Sequence, residues 1–203
     1  MARKVGIARS DVIMAAEAIA DRDGLEYLTL TSVAEALGVR SPSLYAHVEG
    51  LAGLRRALQI HAAQVLTASL RGAMSEESGD QALGVVAHVY RRFAHEHPGL
   101  LDALLPAPRP GEDDEVYEVL ADAAIVVASA VTSMGVPEDH AVDAVRSLRS
   151  AVHGFVVLEK DGGFGMPGDI DGSFDAMVNV IVGGLHNAYG LEPTGSAHEK
   201  EMI

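Results

Sequence analysis

An all-α fold follows from three observations on the sequence. Alanine and leucine are plentiful, aromatic and β-branched runs are few, and apolar residues recur at the three-and-four spacing that lines one face of a helix. With 203 residues, 48% of them hydrophobic, the chain can close one large core or two smaller ones. The first helix is predicted to start at Ser10 as N-cap with Asp11 in its first turn. It carries Val12, Ile13, Ala16, Ile19 and Ala20 on one face and stops at Gly24. Thr31 is the next cap residue, for a short helix that runs to Leu37 and is stopped by Gly38. Ser41 and Pro42 then restart the chain as cap and first helical residue of a third helix carrying Leu44, Tyr45, His47 and Val48.

From Leu51 a long helix with Leu54, Leu58, His61, Val65 and Leu66 reaches a loop around residues 72–79. A helix over residues 80–97 follows, stopped by Pro98. The segment from Pro106 to Gly111 holds three prolines and cannot be helical, so it is read as a surface connection. Two helices are predicted over 113–134 and 137–160, a glycine-rich loop over 161–172, and a last helix over 173–189 with a frayed tail beyond Leu191. The apolar runs look too short to span a bilayer, and no apolar signal segment follows the basic start, so no membrane partner and a cytoplasmic location are expected. The absence of cysteine removes disulfides and thiolate metal sites and suits a reducing compartment.

The formal net charge of −14 opposes nucleic-acid binding by the molecule as a whole. Its distribution is uneven. Before Asp11 the charged side chains are Arg3, Lys4 and Arg9, whereas acids crowd residues 112–115 and 169–175, so any phosphate contact is expected at the N-terminal end.

Residues 31–48 have helix-turn-helix spacing: Val33, Ala34 and Leu37 on the first helix, Gly38 and Val39 at the turn, Leu44 and Val48 on the second. Ala34 is small where the helices cross, and Gly38 can take the left-handed conformation of a sharp turn. The exposed face then offers Arg40, Ser41, Ser43, Tyr45 and His47 to base edges or phosphates. The residues alone leave open that Tyr45 and His47 belong to the core.

The run from Gly38 to Val48, with Pro42, Leu44-Tyr45 and His47-Val48, resembles the recognition-helix signature of the tetracycline repressor (TetR) family; the resemblance covers about the first quarter of the chain. Leu148 to Phe155, followed by Leu158-Glu159 and Gly162-Gly163-Phe164, resembles the subgroup named for a Trp-His-Gly motif, with Val152 in place of the tryptophan. A second departure is Leu51, where many members place a phosphate-contacting lysine; Arg55 or the Arg3-Lys4 arm would compensate. The resemblance implies a ligand-responsive regulator, normally a repressor, that binds double-stranded operator DNA as a homodimer and releases it on taking up a small-molecule effector. It implies a DNA-binding domain over 1–50 and a ligand-binding and dimerisation domain over 51–203. Thr31 and Tyr45 would anchor phosphates, and Arg40, Ser41, Pro42, Ser43 and His47 would read bases. Phe93, Leu104, Val119, His153 and Phe155 are expected around the effector.

Gly183 and Gly184 sit mid-helix, where each costs about 1 kcal/mol against alanine. Close packing across a two-fold axis would offset that, which with the resemblance makes Val180, Gly183, Gly184 and Asn187 the expected dimer face; a local kink is the alternative. Three other signals are set aside. Residues 163–168 match the glycine pattern of a dinucleotide loop, but Pro167 sits inside it and no strands exist to build the sheet. The histidines at 88, 95, 97, 153 and 186 form no His-Glu-x-x-His pattern, so neither metal nor cofactor is expected. No nucleophile and base constellation appears, so the chain is not read as an enzyme.

Overall fold

The computed structural model describes residues 6–74, 78–105, 111 and 113–192, and all regular structure among them is helical. The α-helices are α1 (Arg9–Asp23), α2 (Leu30–Ala36), α3 (Gly50–Ala73), α4 (Gly79–Glu96), α5 (Pro98–Ala103), α6 (Asp114–Ser133), α7 (Ala141–Lys160) and α8 (Ile170–Tyr189). Short 3-10 turns occupy Leu25–Tyr27, Ser41–Ala46 and Glu138–His140. The chain divides into two compact units. Unit 1 holds residues 1–65 and 96–120, and unit 2 holds 66–95 and 121–203. Compact packing thus groups the first fifty residues with most of α3, with α5 and with the start of α6.

In unit 1, α1 buries Val12, Ala16, Ile19 and Ala20, the face its periodicity predicts. It begins at Arg9 without using Ser10 as a cap; the Asp11 carboxylate reaches back and accepts the Ala8 N–H at 2.7 Å. The α2 cap is Thr29 rather than Thr31. Thr29 Oγ1 accepts the Ser32 N–H at 3.0 Å while Ser32 Oγ accepts the Thr29 N–H at 3.0 Å, a reciprocal pair that Thr31 could not make because its third residue onward is Ala34.

Pro98 does not simply end a helix; it opens α5, which the sequence reading missed. Asp21 of α1 is the reason α5 forms there. Its Oδ1 accepts the N–H groups of Gly99 at 2.8 Å and Leu100 at 3.2 Å, two donors that helix geometry leaves without a partner. Gly99 is forced by this seat, since a Cβ on it would lie 2.2 Å from the Ala20 carbonyl carbon. Arg56 of α3 binds both carboxylate oxygens of Asp113 and, at 2.7 Å, Glu115, fixing the start of α6 on α3.

In unit 2, α4 buries Leu83, Val86, Ala87, Val89 and Phe93, while Leu148, Val152 and Val156 of α7 and Phe174 and Val178 of α8 complete the core. The loop after α7 is a helix stop. Gly162 takes φ +69°, its N–H reaches Glu159 O at 3.2 Å, and Gly163 N–H reaches Leu158 O at 2.7 Å. This gives the first glycine of the pattern that mimics a dinucleotide loop, Gly163, a place in a helix stop. The last helix starts at Ile170, three residues before the expected 173, with Asp169 as its cap accepting the Gly172 N–H at 3.0 Å.

Hydropathy requires a further correction. Residues 115–133 of α6 are long and apolar enough by length and composition to cross a bilayer, with a mean hydropathy of 1.5. Run lengths hid this because Glu118 and Asp122 interrupt the apolar stretch. Asp122 falls near the middle of the segment, where a carboxylate costs roughly 2.5–3.5 kcal/mol in lipid, so helix length alone is a weak sign of spanning. The segment 106–110, expected as a surface connection, and the tail from 193 lie outside the described residues.

The seat of α5 yields a stability test. Gly99→Ala is expected to destabilise the protein by about 1–3 kcal/mol, the usual cost of overpacking, because the atoms its Cβ meets are backbone and cannot rotate away. Urea unfolding followed by circular dichroism measures it, with Gly84→Ala as control because that Cβ would meet nothing.

Candidate nucleic-acid interface

The turn between α2 and the 3-10 segment fixes the site. Gly38 adopts φ +64°, its N–H donates to Glu35 O at 3.1 Å, and the Val39 N–H donates to Ala34 O at 2.9 Å. This pair of bonds stops α2 within one residue and reverses the chain without exposing α2 carbonyls. Arg40 is extended, and the chain then tightens. Ser43 N–H reaches Arg40 O and His47 N–H reaches Leu44 O, each at 2.9 Å and each three residues back. The third helix of the sequence reading is therefore a 3-10 segment, Ser41–Ala46, that ends before His47.

A 3-10 segment repeats every three residues, so side chains fall in three lines along it. One line is Ser41, Leu44 and His47; Leu44 is fully buried and the other two are half-buried. The two remaining lines, Pro42 with Tyr45 and Ser43 with Ala46, are exposed, as is Arg40 at the entry. Val33, Ala34 and Val48 close the core beneath. Tyr45 is 64% exposed, which removes it from the core and settles the alternative left open on the residues alone. His47 faces partly inward, so of the expected base readers the outward set is Arg40, Pro42 and Ser43, with Ser41 and His47 at its edge. Among the described residues Arg40 has no ion pair, whereas Arg22 is paired with Asp23 and Arg56 with Asp113 and Glu115.

Thr31 is exposed in the first turn of α2, next to the Thr29 cap. Arg55, named as a substitute for the missing lysine at Leu51, is exposed and donates to Leu25 O at 3.4 Å. Arg3 and Lys4 lie outside the described residues.

The five residues expected around an effector are divided between the two units. Phe93, His153 and Phe155 belong to unit 2, and Leu104 and Val119 to unit 1. Phe93 is buried, while His153 is half-buried and its Nδ1 lies 3.0 Å from the Tyr90 hydroxyl, whose pKa burial pushes up. Sequence reasoning missed the Arg91 network. Arg91 binds Glu159 through both oxygens, at 2.9 and 2.5 Å, and Asp171 at 2.7 Å, with its guanidinium carbon 4.8 Å from the Phe174 ring centre. Phe155 packs on Phe174 and Phe164 with ring centres 5.1 and 4.7 Å apart. On α8, Val180, Gly183, Gly184 and Asn187 are all exposed on one face at i, i+3, i+4 and i+7, and a Cβ on either glycine would meet nothing.

Comparisons with known proteins bear on the family and the fold. A family model described as Tetracyclin repressor-like, C-terminal domain, matches residues 83–181. An HTH-type transcriptional regulator of Mycobacterium tuberculosis is 35% identical over 95% of this chain and 85% of its own. The HTH-type regulator YobS of Bacillus subtilis is 30% identical over 91% and 96%. Among solved structures, a TetR variant from Acinetobacter baumannii in complex with minocycline superposes with a TM-score of 0.67 at 21% identity, over 90% of this chain and 98% of that one.

Two measurements test the site's construction. Tyr45→Ala is expected to leave stability within about 0.5 kcal/mol, as for an exposed side chain, whereas Leu44→Ala should cost about 2–5 kcal/mol through the cavity it leaves; thermal unfolding of the two variants decides. In unit 2 the Arg91 guanidinium, first through its hydrogen bonds, holds the Glu159 carboxyl below the usual carboxylate range, with His95 adding to it and burial opposing. A carboxyl depressed in the folded state stabilises above its unfolded pKa, and that contribution disappears as pH falls through the folded value. Arg91→Ala should therefore lower the melting temperature at pH 7, with the gap to the parent protein closing in acid.

Proposed function

Because the chain belongs to the TetR family of helix-turn-helix transcriptional regulators, we propose that it binds a palindromic operator in double-stranded DNA as a homodimer, represses transcription there, and releases the DNA when unit 2 takes up a small molecule. The observation that carries this reading is the outward face of the 3-10 segment: Arg40, Pro42, Ser43 and Tyr45 project from a turn whose geometry is fixed by the buried Leu44 beneath it. Arg40 supplies the cation for a bidentate guanine contact. Tyr45 and Thr31 carry the hydroxyls for phosphate, and Ser41 and His47 add contacts at the edge. Arg3 and Lys4 extend the phosphate footprint as an N-terminal arm.

Release by an effector is a matter of linkage: a ligand that prefers the conformation with the wrong half-site spacing weakens operator binding by the same factor. In unit 2 the effector reading rests on Phe93, His153 and Phe155, with the Tyr90 hydroxyl, 3.0 Å from His153 Nδ1, as a polar handle. The minocycline-bound neighbour supports a small molecule as effector in a protein of this fold. Association is assigned to the α8 face with Val180, Gly183, Gly184 and Asn187, where a Cβ added to either glycine would meet nothing among the described residues. The Trp-His-Gly subgroup rests on the residues from Leu148 to Phe164, with Ser173-Phe174 and the run from Val180 to Leu185 agreeing. A cytoplasmic location accords with a chain lacking cysteine.

Selection of genomic fragments by the full-length protein, repeated with Arg40→Ala, tests the DNA reading. The variant is expected to lose about 1–3 kcal/mol of operator affinity and relax preference at one position per half-site. Unaltered affinity and selectivity would remove this face from the major groove. For association, Gly183→Trp should convert a dimer into a monomer in sedimentation, and an unchanged dimer would place the interface elsewhere.

A further inference from the structure

We propose that Glu17, Asp21 and His97 form a site in unit 1 for a divalent transition cation of the Zn2+ class, with His61 held against Glu17 as its outer support. The four residues come from three elements: Glu17 and Asp21 from successive turns of α1, His61 from α3, and His97 from the residue before α5. The sequence shows none of the short spacings that mark a metal motif, because the imidazole arrives from 76 positions away.

The distances fit the chemistry. His97 Nδ1 lies 3.3 Å from Glu17 Oε1 and 3.2 Å from Asp21 Oδ2, and one ligand atom from each of the three residues falls within 4.8 Å of the others. A tetrahedral ion bound at about 2.0–2.1 Å from nitrogen and oxygen sets its ligand atoms roughly 3.3 Å apart, so the edges to His97 are already at bonding spread. An imidazole nitrogen that faces two carboxylate oxygens in this way can be bridged to them by a proton or by a cation. With neutral imidazoles the group carries a charge of −2 in a part-buried setting, which a divalent ion balances.

The outer contacts are those of a supported site. Asp21 commits Oδ1 to the Gly99 and Leu100 N–H groups and so presents Oδ2 to the ion, while Glu17 commits Oε2 to His61 Nε2 at 3.0 Å and presents Oε1. Each carboxylate is thus oriented by its second oxygen, the arrangement that fixes metal-binding side chains in place. Glu17 is 13% and His97 30% exposed, which leaves a solvent route on the imidazole side. A bound ion would cross-link α1 to the start of α5, with α3 held through His61, and would stabilise the unit that carries the DNA-reading turn, whatever the operator or effector.

Untagged, chelator-treated full-length protein titrated with ZnCl2 tests this. The melting temperature is expected to rise and saturate at one ion per chain, and Co2+ is expected to give the intense visible absorption of a tetrahedral site. Both responses should be lost in His97→Gln and in Asp21→Asn, while His61→Gln should weaken the midpoint about 10–100-fold and His88→Gln should change nothing. The metal-free melting temperatures show whether each variant folds. Should His97→Gln or Asp21→Asn fail to fold, His61→Gln against His88→Gln carries the decision. No stabilisation of the parent protein by Zn2+, or an equal response in the folded His97 and His61 variants, overturns the site.

Discussion

The left-handed turn at Gly38 is the constraint on which the candidate interface depends. Two backbone bonds, from Gly38 to Glu35 and from Val39 to Ala34, end α2 abruptly and aim the chain back across it. A side chain at position 38 would be strained by the positive φ, and a slower ending of α2 would carry Leu44 past the pocket formed by Val33, Ala34 and Val48. Once Leu44 is seated, the three-residue repeat dictates which neighbours face solvent. The identity of the exposed set therefore follows from one buried leucine and one glycine, and no exposed residue has to hold itself in place.

Unit 1 applies the same economy to its remaining elements. Asp21 belongs to α1 by sequence, yet its carboxylate supplies the first hydrogen bonds of α5, and Gly99 lets that helix approach the α1 backbone closely. In unit 2 the corresponding role falls to Arg91, whose guanidinium joins Glu159 of α7 and Asp171 of α8 and lies over the Phe174 ring. Desolvating an arginine is costly unless its donors are met, and here two carboxylates and an aromatic face share that task.

The helical class, the buried face of α1 and the stop at Gly38 were legible from local signals, because each depends on residues within a turn or two. The 3-10 form of Ser41–Ala46 was not legible, since its difference from an α-helix lies in which carbonyl each N–H selects over a six-residue stretch. Proline at 98 both ends one helix and starts the next, and only Asp21, far away in the chain, decides for the second. Thr29 and Thr31 are chemically equal caps, separated by whether the third residue onward can answer. The Arg91 network and the grouping of Glu17, Asp21 and His97 depend on tertiary placement, which periodicity does not encode.

The three-line pattern of the 3-10 segment also bears on how such a protein can change over time. Residues 40, 42, 43 and 45 contact solvent and contribute little to the core, whereas 44 and 38 carry the fold. A duplicated copy of the gene could therefore accumulate substitutions at the first group and acquire a different DNA address without passing through an unfolded intermediate. Recognition and stability are inherited on separate residues of the same short turn.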